Sequence, residues 1–191
     1  MLTERYTLRS ARYLAAQMLE SVLRPGDTAI DATVGNGHDT LALAQLVGPE
    51  GHVIGFDVQE AAIRSATELL SSHGVLDRCR LYQLGHEHMG EVVSSPVQTV
   101  CFNLGWLPGG DKQVTTRWET TRQAVETALG LLKSGGVCTV CVYPGHEAGQ
   151  VELTQLRAWL PTLRPQDYNV LEQCFLNAGE AAPVCFVIQR Q

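Results

Sequence analysis

The sequence predicts one α/β domain over residues 1–191, a mainly parallel sheet with helices on both faces. Two patterns carry that expectation. Apolar runs of strand length alternate with stretches of helical period from Ser10 to Leu160, and such alternation builds crossover units that leave neighbouring strands parallel. Beyond Leu160, two strand-like runs follow each other without a long helix between them, which predicts a closing antiparallel hairpin.

Ser10 to Leu23 carries Ala11, Leu14, Ala15, Met18, Leu19 and Val22 at helical spacing and stops at Arg24-Pro-Gly. Thr28-Ala-Ile is a strand ending at Asp31, and a glycine turn leads from it into a short helix closed by Gly48-Pro49. His52-Val-Ile-Gly-Phe is the second strand, ending in Asp57, and Gln59 to Leu70 repeats the helical period. Cys79 to Leu84 is the third strand, Val97 to Asn103 the fourth and Gly136 to Tyr143 the fifth. Helices fill Thr116 to Leu132 and Glu147 to Leu160, while Tyr168 to Leu176 and Val184 to Gln189 bring the sheet to seven strands.

The turn Asp31-Ala-Thr-Val-Gly-Asn-Gly-His-Asp-Thr40 is the first chemical signal. Gly35 and Gly37 let backbone approach a ligand closely, and Asp39 and Thr40 suit the caps of the following helix. Carboxylates at Asp31 and Asp39 flank the turn, which disfavours a pyrophosphate and favours a cation. Thr40 also stands where a dinucleotide fingerprint places Gly or Ala. Asp57 follows the glycines by about 20 residues, where an acidic side chain binds ribose hydroxyls. S-adenosylmethionine joins adenine and ribose to a sulfonium and an ammonium and has no phosphate, so it is the expected cofactor. The alternative is a capped turn followed by a surface Asp.

Ligands of parallel sheets sit at the carboxyl ends of the strands. Asp31, Asp57, His86-Glu87, Asn103 and the Tyr143-Pro-Gly-His146 turn all fall there. Seven strands closed by a hairpin form the architecture of class I, Rossmann-like methyltransferases.

Composition bounds the rest. With 45% hydrophobic and 18% charged residues the chain is ordinary globular material, long enough to bury a substantial core. No apolar run approaches the roughly 20 residues of a membrane span, and Met-Leu-Thr-Glu-Arg-Tyr lacks the layout of a secretion signal, so a cytoplasmic location is expected. The six cysteines lie mostly in strand-like runs and are expected to be reduced core thiols. Cys138 and Cys141 match Cys-x-x-Cys, but residues three apart in a strand point to opposite faces. A net charge of −6 opposes a broad, sequence-independent grip on nucleic acid. Two small basic groups, Arg5/Arg9/Arg12 and Lys112/Arg117/Arg122, leave room for a local patch, and a dimer would pool two copies of each.

Asn103-Leu-Gly-Trp106-Leu-Pro108 ends the fourth strand beside the expected cofactor. Its register resembles the Asn-Pro-Pro-Tyr signature of enzymes that methylate exocyclic nitrogens of bases, in which an amide oxygen and a backbone carbonyl accept the amine hydrogens and an aromatic ring stacks on the base. Asn103, the Leu104 carbonyl and Trp106 would take those parts, although Leu-Gly replaces Pro-Pro. An Asn that caps a turn and a Trp packed in the core is the alternative. Gly109 to Thr116 reads as a lid, with Thr115 or Thr116 capping the next helix and Asp111 either placed to attract or deprotonate an amine or simply a solvated loop residue. His146 is a candidate general base or base-edge contact, with a plain turn histidine as the alternative. His86-Glu-His88 has no further ligand cluster at metal-binding spacing, so no metal is expected and His86 and Glu87 are read as cofactor contacts.

With these residues in hand, the chain resembles, along nearly its whole length, a bacterial family long labelled putative rRNA methylase and similar to the tRNA 5-aminomethyl-2-thiouridine methyltransferases. The matching pieces are Asp31 to Thr40, Phe56-Asp-Val-Gln59, His86-Glu87, Phe102 to Lys112 and Val142-Tyr-Pro-Gly-His-Glu147. The resemblance implies S-adenosylmethionine binding by Asp31, Thr33, Gly35, Asn36, Gly37, Asp39, Thr40, Asp57, Gln59, His86 and Glu87. It also implies a nucleoside pocket lined by the last two pieces, with Trp106, Pro108 and Tyr143, whereas the catalytic candidates Asn103, Leu104 and either Asp111 or His146 are read from the residues themselves. The implied substrate is the wobble uridine of the tRNA anticodon loop, with rRNA, a small-molecule amine or a non-catalytic binding module as alternatives. Trp106 stands where the family usually has Tyr, and Asn177 to Pro183 lacks the family's usual Asn and double Pro.

Overall fold

The computed structural model describes residues 10–191, so Arg5 and Arg9 of the first basic group lie outside the described residues. Ser10 caps α1 (Ala11–Val22) by accepting the Tyr13 N–H, and the helix stops before Arg24-Pro-Gly. In chain order follow β1 (Thr28–Asp31), α2 (His38–Val47), β2 (His52–Asp57), α3 (Glu60–Ser72), β3 (Cys79–Gln83), the short α4 (Met89–Val92), β4 (Val97–Asn103), α5 (Trp118–Leu131), β5 (Leu132–Val142), α6 (Glu147–Trp159), β6 (Tyr168–Gln173) and β7 (Val184–Arg190).

The strands form one sheet in the order β3-β2-β1-β4-β5-β7-β6. The pairs from β3 across to β5 are parallel, and β7 pairs antiparallel with both β5 and β6. This is the expected class I methyltransferase architecture. After β3 the chain crosses to the other side of β1, so the carboxyl ends of β1 and β4 flank the point where strand order reverses, and a crevice opens there.

Two apolar layers enclose the sheet. On one face Ile30, Phe56, Val100, Phe102 and Val140 pack with Met89 of α4, with Ala124, Val125 and Ala128 of α5, and with Leu153 and Leu156 of α6. On the other face Ala29, Val53, Cys101 and Val137 pack with Leu19 of α1, Leu43, Ala44 and Val47 of α2, and Leu70 of α3. Neighbours such as Ala29 and Ile30, or Val100 and Cys101, therefore enter opposite layers, which is why the central strands read as unbroken apolar runs.

Several local expectations give way. Neither Asp39 nor Thr40 caps α2: Gly37 holds the cap position in the left-handed conformation, φ 83°, with no side-chain cap bond. Arg117 stands at the cap of α5 without a side-chain cap bond, so Thr115 and Thr116 are not its caps. The fifth strand starts at Leu132 rather than Gly136, because its register against β4 shifts through a bulge that takes in Lys133-Ser-Gly-Gly. The expectation of six reduced cysteines is corrected, since Cys141 and Cys185 form a disulfide while Cys79, Cys101, Cys138 and Cys174 are free. The two bonded residues face each other across the antiparallel β5–β7 pair, a juxtaposition that sequence spacing does not reveal. Cys138 enters the opposite layer from Cys141, so Cys138-Thr-Val-Cys141 is not a paired motif.

Gly37 is required twice over. A Cβ there would lie 2.8 Å from the Cα and Cβ of Ala66 in α3, at a backbone angle that L side chains rarely adopt. Gly37→Ala should lower the unfolding free energy by about 2 kcal/mol or more, read as a lower urea midpoint at unchanged slope.

Candidate active site

The site is assembled from the carboxyl ends of the five parallel strands. At the end of β1, Asp31 is wholly buried; Oδ2 accepts the Thr40 hydroxyl at 2.6 Å and Oδ1 accepts the Thr33 N–H at 3.1 Å. Burial and then the neighbouring Asp39 charge push the Asp31 carboxyl up to about 7. Thr33 carries the link onward, because its hydroxyl oxygen accepts the Asn103 N–H at 2.7 Å. The ends of β1 and β4 are thereby locked to each other.

Asp57, at the end of β2, holds the other side of the glycine turn. Its Oδ2 accepts the Gly35 N–H and its Oδ1 the Gln59 N–H, both at 2.9 Å. Gly35 has φ 52°, and a Cβ there would meet only Leu107 Cδ1 at 3.7 Å and Thr33 O at 3.9 Å, so the space above it is open. The two glycines thus divide the work: Gly35 borders the ligand space, whereas Gly37 lets α3 pack close.

Asp39 faces the substrate end. It pairs with the Arg12 guanidinium from α1, and its Oδ2 accepts the Asn103 Nδ2–H at 2.6 Å. A carboxylate can only accept, so the Asn103 amide must present its nitrogen to Asp39. Its Oδ1 is then left buried with no hydrogen-bond partner. A buried acceptor of this kind costs about 1–3 kcal/mol unless a donor meets it. It marks the place for a donor from a ligand.

His86 is buried, its Nδ1 donates to the Ala32 carbonyl at 3.2 Å, and its ring meets Phe102 edge-on. Desolvation lowers its pKa, so it is a neutral ring with Nε2 as acceptor. Trp106 lies against the His146 ring at 4.5 Å between centroids, with Lys112 Nζ 5.4 Å from the Trp106 centroid. A Trp106–Thr115 bridge closes the base of the lid loop. His146 caps α6: its Nδ1 accepts the Gly149 N–H at 3.2 Å, which leaves the proton on Nε2. Desolvation lowers the His146 pKa, and a ring whose free nitrogen already carries the proton is a donor rather than a general base.

These residues border one cavity of about 590 Å³. It brings together Thr33, Gly35, Asn36, Asp39, Asp57, Gln59, His86, Glu87, Asn103, Leu104, Trp106, Pro108, Tyr143 and His146. Asp31, Gly37, Thr40 and Asp111 do not border it. Asp31 and Thr40 support the turn from below, and exposed Asp111 accepts the N–H of Gln113 within its own loop. The wall also takes residues to which sequence reasoning gave no part in the site: Arg12, His38, Leu107, Thr116, Arg117 and Thr120. Of the second basic group, Arg117 reaches the wall, while Arg122 stacks 3.8 Å above the Trp159 ring. Among the described residues no group of three His, Cys, Asp or Glu could hold a metal ion.

The cavity fits a nucleoside that carries positive charge. Its volume is that of a small-molecule site, and Val34, Phe56 and Val58 supply apolar wall around the Asp57 carboxylate. Three carboxylates, Asp39, Asp57 and Glu87, lie on the wall.

The chain is similar to known methyltransferases. The family described as "Putative rRNA methylase" matches residues 53–189, and "Protein-L-isoaspartate(D-aspartate) O-methyltransferase (PCMT)" matches residues 4–101. The chain is 37% identical over 193 residues to the chloroplastic tRNA (mnm(5)s(2)U34)-methyltransferase of Arabidopsis thaliana, covering 96% of this chain and 70% of the plant protein. A crystal structure of an rRNA-methylase, itself described as putative, from Clostridium thermocellum has a TM-score of 0.95 at 36% identity, over 97% of this chain and 100% of that one. A methyltransferase from Streptococcus mutans in complex with SAH, described in the same way, gives 0.87 at 30% identity, over 96% and 99% of the two chains.

The raised Asp31 carboxyl sets a pH dependence. Its protonated form favours the folded state, so that contribution is complete below the ordinary value of 3.8 and is lost as pH rises through about 7. The stability of the wild type relative to Asp31→Asn should therefore fall between about pH 4 and about pH 7, measured by urea unfolding at fixed salt. A difference that stays constant with pH would contradict it.

Proposed function

This chain belongs to the "Putative rRNA methylase" family and is an S-adenosylmethionine-dependent methyltransferase, and we propose that its substrate is the aminomethyl group of 5-aminomethyl-2-thiouridine at the tRNA wobble position. The observation that carries this proposal is the buried, unpartnered Oδ1 of Asn103. An amine nitrogen offers the N–H donor that this oxygen lacks, whereas a hydroxyl or carbon nucleophile would spend or lack the hydrogen needed there. The plant relative named for the same nucleoside supports the choice of substrate.

S-adenosylmethionine supplies an electrophilic sulfonium methyl group. Gly35, Asn36, Asp57 and Gln59 would hold its nucleoside, with His86 and Glu87 against the adenine or ribose, and Thr33 and Asp39 would face its methionine end. Asn103 Oδ1 accepts one amine hydrogen and the Leu104 carbonyl the other, so the nitrogen lone pair is turned away from both and toward the methyl. Trp106 or Tyr143 stacks on the base, and Pro108 closes the wall beside it. Because His146 Nδ1 is engaged by Gly149 and Asp111 sits off the cavity, the surplus proton passes to water at the open mouth.

Arg117 borders the cavity and Lys112 lies over the Trp106 ring, so an otherwise acidic protein has a local basic rim for RNA phosphates. Two copies would double that rim, and sedimentation of the pure protein reads whether they pair. The cytoplasm is the proposed compartment, and no helix among the described residues is long and apolar enough to cross a membrane. The net charge of −6 favours a second substrate class, small-molecule amines.

Labelled S-adenosylmethionine and tRNA carrying unmethylated 5-aminomethyl-2-thiouridine should give that nucleoside one added methyl by mass. Transfer to free amines but not to tRNA would select the second class. Asn103→Ala should lower kcat about 10²- to 10³-fold while leaving SAH affinity in calorimetry unchanged. Asp57→Ala should abolish SAH binding, and retained affinity would remove Asp57 from the cofactor site.

A further inference from the structure

Glu152 is a charged residue of α6 that is wholly buried and lies outside the cavity wall. Its Oε1 accepts the Thr121 hydroxyl at 2.6 Å and its Oε2 the Thr116 hydroxyl at 3.1 Å. Desolvation raises its pKa and the two hydroxyl bonds lower it, so the carboxylate is kept at a cost. For stability alone an apolar side chain of similar size would serve as well.

What the carboxylate does follows from the second bond of Thr116. The same hydroxyl oxygen accepts the Gly105 N–H at 2.9 Å, and the Thr116 N–H donates to the Gly105 carbonyl at 3.1 Å. A hydroxyl has one proton, and a carboxylate can only accept. The Thr116 hydroxyl therefore donates its hydrogen to Glu152 and keeps a lone pair turned to the Gly105 N–H. Gly105 needs such a clamp. It has φ 137°, a conformation few side chains adopt, and an added Cβ would meet open space.

The peptide between Leu104 and Gly105 is trans and planar, so the direction of the Gly105 N–H sets the opposite direction of the Leu104 carbonyl. We propose that Glu152 is a positioning residue: through Thr116 it fixes the Leu104–Gly105 peptide plane and so aims the Leu104 carbonyl at the substrate amine. This rests on the assignment of Asn103 and Leu104 as the amine acceptors. Asn103 is then oriented from the β1 side by Thr33 and Asp39, and Leu104 from the α6 side by Glu152.

Thr116→Val removes the acceptor of the Gly105 N–H, and Glu152→Gln removes the group that can only accept. Both should lower kcat on the tRNA substrate about 10- to 100-fold, with SAH affinity within about twofold of wild type in calorimetry. Hydrogen-exchange protection of the Gly105 amide should drop in both. Thr116→Ser keeps the hydroxyl and should restore both kcat and protection. Thr121→Val removes the other Glu152 partner and serves as a stability control, expected to lower the melting temperature while keeping kcat within about threefold.

Unchanged kcat in Thr116→Val and Glu152→Gln would overturn the inference, as would an equal loss in Thr121→Val or a failure of Thr116→Ser to rescue. A wild-type enzyme inactive on the tRNA would instead overturn the substrate assignment, and this inference with it.

Discussion

The chain of hydrogen bonds from Asp31 through Thr33 to Asn103 is the constraint on which the site depends. It joins the ends of two neighbouring parallel strands, one leading to the glycine turn and one to the turn that carries Asn103 and Trp106. Without it the two turns would be separate loops on a common sheet edge. Its first member is a buried carboxylate whose charge is disfavoured by its surroundings and supported by two donors. Buried polar groups of this kind are costly when incomplete and specific when complete. Asn103 Oδ1, buried and unmet at the end of β4, stands out against that background.

Around this link, charge is distributed by role. Asp57 takes two backbone N–H groups and shapes the turn, while Asp39 is divided between a cation from α1 and the Asn103 amide. The acidic turn that argued against a phosphate-bearing cofactor is therefore only in part a ligand surface. Asp31 and Asp39 act first on protein groups, and the orientation of the Asn103 amide is set by one of them.

The second layer of control comes from the far side of the sheet. Glu152, Thr116 and Thr121 tie α5, α6 and the base of the lid to Gly105, and His146 caps the same helix that carries Glu152. A histidine at a strand end and a threonine before a helix both read as active-site or capping residues. In the fold His146 has become the cap, and Thr116 a clamp on a loop peptide. The disulfide joins the ends of β5 and β7 close to Tyr143, on the edge of the same region.

Much of this protein was legible in its sequence. The period of its apolar residues marks out the seven strands and the helices between them, because a strand buried on both faces and a helix buried on one leave different spacings, and their alternation gives the mainly parallel direction and the final hairpin. The glycine turn, the acid after the second strand and the Asn-to-Trp turn located the cavity, since parallel strands deliver their carboxyl ends to one edge. Tertiary structure alone decided which partners each side chain would have. Thr40 turns inward to Asp31 instead of capping a helix, Gly37 yields to Ala66, Cys141 meets Cys185 across a hairpin, and a helical Glu152 is buried beneath a loop. Periodicity reports which face of an element is buried, but a hydrogen bond or disulfide is a contact between residues distant in sequence, and only the packed fold sets that distance.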